Sequence, residues 1–75
     1  MPKVGRMSER QREIVEILRR DYATLLTLAD VGRIIGTTDQ RTTKKYVEGL
    51  RTTDVNGRRK WLIDDIARRI YEHEV

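Results

Sequence analysis

No cysteine occurs among the 75 residues, and His73 is the single histidine. Disulfides are excluded, and zinc or iron–sulfur sites, which draw on several clustered Cys or His ligands, have no ligand set. Neither a metal nor a cofactor is expected. Phe is absent and aromatic residues make up 5% of the chain, which argues against a single-strand binder built on stacked bases. No apolar run approaches the ~18 residues of a membrane span; the densest stretches are pairs such as Leu25-Leu26 and Ile34-Ile35. No charged-then-apolar leader opens the chain, so the expected setting is the cytoplasm, with no membrane partner. A Gly-rich phosphate loop and a nucleophile elbow are also missing, and a catalytic histidine would want a nucleophile and an orienting group beside it. The chain is not expected to be an enzyme.

What is present is charge: 16 Lys plus Arg against 12 Asp plus Glu, a net of +4, and 37% charged residues overall. This length fits one core and leaves no room for two. A domain so small buries only ~60 to 65% of its unfolded surface, so it must rely on apolar packing, with a second copy as a further source of stability. The positive charge is local. Residues 40–60 carry seven cations, Arg41, Lys44, Lys45, Arg51, Arg58, Arg59 and Lys60, against Glu48 and Asp54, while the rest is close to balance. A segregated basic stretch is the electrostatic footprint of a protein that meets phosphates, or else a solvated face, and its place in the fold decides between them.

Residues 1–7, with Pro2 and Gly5 in a basic setting and no apolar period, read as a flexible basic arm, leaving 8–75 as a single domain. Ser8 with Gln11 three residues on has capping-box spacing and opens a helix over 9–21. Its apolar residues Ile14, Val15, Ile17 and Leu18 span about 160° at 100° per residue, wide enough to serve a core and a partner. Tyr22 to Leu26 reads as an apolar linker. Thr27 with Asp30 repeats the capping spacing, Val31, Ile34 and Ile35 recur at helical intervals, and Gly36 suits the left-handed end of a helix over 28–35.

Thr37, Thr38 and Asp39 are all cap formers, and a third helix is expected over 39–49. Two short helices around a tight Gly-containing turn form the helix-turn-helix pattern. With Val47 at 0°, Thr43, Tyr46, Val47 and Leu50 fall between about −100° and 0°, whereas Arg41, Lys44, Lys45 and Glu48 fall between about 60° and 160°. One face fits a core; the other offers three cations with Gln40 and Thr42 beside them.

Beyond Gly49 the helical period stops, and Thr52 to Trp61 reads as a hairpin around Asn56-Gly57. A two-residue turn would set Val55 and Trp61 on opposite faces. A three-residue loop through Arg58 would pair Thr53 with Trp61 and Val55 with Arg59, and this register is preferred because one face of so small a hairpin should pack. A last helix over 63–73 follows from Ile63, Ile66, Ala67, Ile70 and Tyr71, with Asp64 and Asp65 in its first turn. Trp61, Tyr46 and Tyr71 are expected in the core, and His73 as a C-terminal cap or exposed. The fold class is mainly α with a small β-hairpin wing, a winged helix-turn-helix.

Such a third helix enters a major groove while the wing reaches flanking backbone or minor groove. Arg41 suits guanine and Gln40 adenine through bidentate pairing, with Thr42 near the same end and Lys44 and Lys45 suited to phosphates. Thr37 and Thr38 fit two roles, simple caps or phosphate donors. Arg58, Arg59 and Lys60 form an Arg-rich turn suited to a narrow minor groove.

The stretch from Leu28 to Ile70, with Val31, Ile35 and Gly36 in its first helix and turn, Arg41 to Lys45 in its second helix, and Asn56-Gly57-Arg58-Arg59 in its wing, resembles the winged helix-turn-helix of the MerR superfamily. Trp61 with Asp65-Ile66 matches the lead into the following helix. Gly32 stands where such proteins commonly have Ala, and the turn is one residue longer. The compact length is similar to the excisionase and Cox-like branch of phages and mobile elements. That resemblance implies an architectural factor which binds repeated duplex-DNA sites, bends DNA, associates with the nucleoid and steers a recombinase, in cooperative arrays of copies. A small transcriptional repressor is the alternative within the class. A protein-interaction module that docks through the first helix without binding DNA is the alternative from another class.

Overall fold

A computed structural model describes residues 8–74, so the basic arm expected over 1–7 lies outside the described residues. The element order is α1 (Glu9–Arg19), β1 (Leu25–Leu26), α2 (Leu28–Ile35), α3 (Gln40–Tyr46), β2 (Thr53–Val55), β3 (Arg58–Leu62) and α4 (Ile63–Glu74). Among the described residues the architecture is mainly helical, four helices with a three-stranded antiparallel sheet of order β1-β3-β2.

Local chemistry sets most of the helix starts. The Ser8 hydroxyl accepts from the Gln11 amide at 3.2 Å and the Gln11 side chain accepts from the Ser8 amide at 3.1 Å. Thr27 and Asp30 make the same reciprocal pair, both at 3.1 Å. Desolvation opposes the Asp30 carboxylate, but hydrogen bonds from the Thr27 amide, the Arg33 guanidinium and the Thr27 hydroxyl outweigh it and hold its pKa below the usual value. α2 ends where Gly36 takes φ 80°, and the Thr37 amide returns to the Gly32 carbonyl at 2.9 Å, closing the end in the Schellman manner. α1 stops two residues short of expectation because Arg20 and Asp21 tighten to i−3 bonds with Ile17 and Leu18.

The stretch 22–26, expected as linker, contains a strand. Leu25 pairs with Leu62 and Leu26 with Trp61, so β3 is shared: its first three residues pair with β2 and its last two with β1. Two residues of alternating burial are too short for periodicity to reveal, and their pairing partner lies more than thirty residues away.

The preferred hairpin register is overturned. Thr53 pairs with Lys60, Asp54 with Arg59 and Val55 with Arg58, the signature of a two-residue turn. Asn56 at φ 53° and Gly57 at φ 76° supply the two left-handed residues that a type I′ turn requires. The argument for a longer loop assumed that Val55 must cover Trp61. Instead Leu26 of the unexpected strand sits opposite Trp61, and Val55 stays half-buried on the other face.

One core joins the elements. Ile14, Val15 and Leu18 of α1 meet Leu26, Val31, Val47 and Trp61, together with Ile63, Ile66 and Ala67 of α4. The wide stripe on α1 is thus mostly spent on the core, and Ile17 alone of its four residues is exposed. A single exposed isoleucine is ordinary protein surface.

Candidate nucleic-acid interface

α3 is shorter than its expected span of 39–49. Asp39 is its cap, accepting from the Arg41 amide at 2.9 Å. Beyond Tyr46 the chain keeps turning more tightly, with the Glu48 amide on the Lys45 carbonyl at 3.3 Å and the Leu50 amide on the Val47 carbonyl at 3.0 Å. Gly49 at φ 85° then lets it leave.

The two faces read from the sequence are realised. Thr43, 2% exposed, and Val47 are buried, with Tyr46 and Leu50 partly so. Gln40, Arg41, Thr42, Lys44, Lys45 and Glu48 are all exposed. Burial of Thr43 costs little, because its hydroxyl donates to the Asp39 carbonyl one turn back at 3.1 Å. Gly32 is buried beneath this turn. A Cβ there would stand 3.0 Å from the Thr37 carbonyl oxygen and 3.3 Å from the Thr43 hydroxyl, which accounts for glycine at this point of contact between α2 and α3.

Thr37 and Thr38 separate in role. The Thr37 hydroxyl accepts from the Asp39 amide at 3.0 Å and shapes the turn, whereas Thr38 is exposed. Thr42 also spends its hydroxyl locally, donating to the Asp39 carboxylate at 3.2 Å. The carboxylate of Asp39 therefore occupies the amide end of α3 that a phosphate would otherwise approach. Thr37, Thr38 and Gln40 line a hollow of ≈230 Å³ together with Arg33, whose guanidinium is held by Asp30 at 2.6 Å.

The hairpin cations Arg58, Arg59 and Lys60 do not form one cluster. Side chains alternate along a strand, so Arg59 shares a face with Trp61, while Arg58 and Lys60 lie on the opposite face with Thr53. Lys44, Glu48 and Arg59 line a single cleft of ≈440 Å³ between α3 and the hairpin, whose apolar wall is Leu28, Val47, Leu50 and Trp61. The Trp61 indole N–H is buried with no acceptor among the described residues, so this side chain contributes packing. On the other side of the sheet, Arg51 and Asp65 border a second hollow of ≈360 Å³ with Thr53 and Leu62. The basic stretch of 40–60 is thus divided: Lys44 and Arg59 meet at the cleft, Arg41 and Lys45 are exposed on α3 outside it, and Arg51, Arg58 and Lys60 belong to the far side of the hairpin.

The sequence pattern missed Arg69. From α4 its Nη1 donates to the Tyr46 carbonyl at 2.8 Å and the Glu48 carbonyl at 3.3 Å, and its Nη2 donates to Glu48 at 3.3 Å. One turn later the His73 ring lies 4.9 Å from that of Tyr46, tilted by 57°. Burial pushes the Tyr46 phenol above its usual pKa, with the Arg69 charge pulling the other way. The available signal was a long cation beside Ile66 and Ile70, at the border of the apolar arc of α4.

Among the described residues no helix is long and apolar enough to cross a membrane, and no group of three or more His, Cys, Asp or Glu side chains is placed to hold a metal ion. Comparison with protein-family models, with curated proteins and with solved structures returns no match to this chain.

Proposed function

We propose that this chain is a sequence-specific double-stranded DNA-binding protein of the winged helix-turn-helix type, an excisionase-like architectural factor or regulator, acting without covalent chemistry. The observation that carries the reading is the sharing of one cleft by Lys44 of α3 and Arg59 of the hairpin, with Gln40, Arg41 and Lys45 exposed on the same helix. An α-helix with its side chains is about 10 to 12 Å across, in keeping with a major groove about 12 Å wide. On this reading α3 enters the groove, Gln40 and Arg41 meet base edges, Lys44, Lys45 and Arg59 meet the phosphates bordering it, and the hairpin tip reaches the adjacent minor groove. The placement near excisionases rests on the resemblance of residues 28–70, and paired reporter and excision assays separate it from a small repressor.

The test is selection of bound duplexes from a random library, followed by titration of the recovered sequence at several salt concentrations. Affinity is expected to fall with a log–log slope of about −0.9 per neutralised phosphate. Arg41→Ala should cost about 1 to 3 kcal/mol and relax preference at one base position. Lys44→Ala with Arg59→Ala should make the slope shallower by up to about 2. Enrichment of no sequence, together with a salt-independent affinity, would refute the proposal.

A further inference from the structure

We infer that Arg69 is a positioning residue which sets the angle of α3 against the hairpin, and through it the DNA sequence that the protein prefers; this inference rests on the DNA-binding reading. The last carbonyls of any helix lack partners within the helix, and a seven-residue helix has little stability of its own. The carbonyls of Tyr46 and Glu48 find theirs in the Arg69 guanidinium, at 2.8 and 3.3 Å. A fixed positive charge at the negative end of a helix is also the favourable sign. The Arg69 Nε stands 3.6 Å from the Glu72 carboxylate, so three of the five guanidinium hydrogens are spent on the two carbonyls and the charge is partly met within α4.

The consequence follows from where α3 is held. Its first turn is fixed locally by Asp39 and by the close approach of Gly32. The other end, where Lys44 and Glu48 stand across the cleft from Arg59, rests on the buried Val47 and can swing about it unless its last carbonyls are held. Arg69 removes that swing from outside the interface, with the rings of Tyr46 and His73 as a second contact from the same side of α4. Its loss should therefore leave the number of phosphate contacts unchanged while blurring their register with the base contacts.

Arg69→Gln and Arg69→Lys in the full chain test this. Lysine keeps the charge but cannot present the planar fork to two carbonyls. Two measurements apply: amide hydrogen exchange in the free protein, and affinity for the selected duplex relative to random-sequence duplex across salt. Faster exchange at Val47, Glu48 and Leu50 than at α1 is expected in Arg69→Gln. Its preference for the selected duplex should fall about tenfold, with the salt slope unchanged and Arg69→Lys between it and the parent. A slope shallower by about 0.9 would make Arg69 a phosphate contact instead. An unchanged preference in a folded variant would overturn the inference, as would exchange rising evenly over the whole chain. If the parent chain binds no duplex, the DNA reading fails by itself, and the exchange measurement still decides whether Arg69 holds α3. Should Arg69→Gln not fold, Arg69→Lys and His73→Ala carry the same pair of measurements.

Discussion

The two ends of α3 are finished by different means. Its start is closed within three residues, by the Asp39 carboxylate on the Arg41 amide and by the Thr37 hydroxyl on the Asp39 amide. Its finish is closed from α4, more than twenty residues away, by Arg69 on the Tyr46 and Glu48 carbonyls. A locally capped end forms as soon as the helix does. An end capped by a distant element forms only when the domain is assembled, so the direction of α3 is a property of the whole core rather than of its own sequence.

The strongest way to break this contrast acts where the first half of α3 meets α2. Gly32→Val would push a branched side chain against the Thr37 carbonyl and the Thr43 hydroxyl, where even a Cβ finds 3.0 and 3.3 Å. A loss of about 2 to 3 kcal/mol is expected in denaturant unfolding. Gly32→Ala should cost less, because alanine gains up to about 1 kcal/mol of helix propensity against the same crowding. If Gly32→Ala proved more stable than the parent, the turn would be able to yield, and the seating of α3 on α2 would be softer than the distances imply.

Next in size is the cap itself. Asp39→Ala should lose about 1 kcal/mol, and Asp39→Ser only part of that, read as shifts of the unfolding midpoint with unchanged cooperativity. Under the DNA reading, the same change removes a carboxylate from the phosphate side of α3, so affinity should rise while stability falls. Movement of both quantities in one direction would mean that Asp39 holds the helix in its binding position as well as starting it.

The same division separates what the sequence reveals from what it hides. Ser8 with Gln11, Thr27 with Asp30 and Gly36 mark helix ends through groups a few residues apart, and all three act as their spacing predicts. The opposed faces of α3 are likewise a matter of local periodicity, which is why Thr43 and Val47 turn inward while Lys44 and Lys45 turn out. Asn56-Gly57 announces the hairpin, yet its register required knowing what covers Trp61, and Leu26 comes from a two-residue strand with no periodic signal. That one-residue difference moves Thr53 and Val55 off the face that Arg59 shares with Trp61 and sets them beside Lys60 and Arg58. The split of the basic stretch and the Arg69 clamp both depend on pairings across the fold, beyond what composition or a helical wheel carries.

The smallest effect concerns Glu48, which inverts the logic of Asp39. A carboxylate suits the start of a helix and opposes its end; Glu48 stands beyond the last turn of α3, exposed, on the cleft shared with Lys44 and Arg59. Its backbone carbonyl is engaged by Arg69, but that contact does not involve the side chain. Glu48→Gln should therefore leave the clamp in place, stabilise the domain by only about 0.3 kcal/mol, and strengthen binding to random duplex about two- to threefold at low salt, an advantage that fades as salt screens it. Preference for the selected duplex tells more than the affinity. A carboxylate that only repels phosphate improves every sequence equally when it is removed, whereas one that accepts from a cytosine amino group erodes preference at a single base pair. Uniform gain across sequences would confine Glu48 to weakening non-specific binding at the end of α3 that Arg69 holds; a loss focused on one position would extend the reading surface of α3 past its helical limit, into the turn that the distant clamp supports.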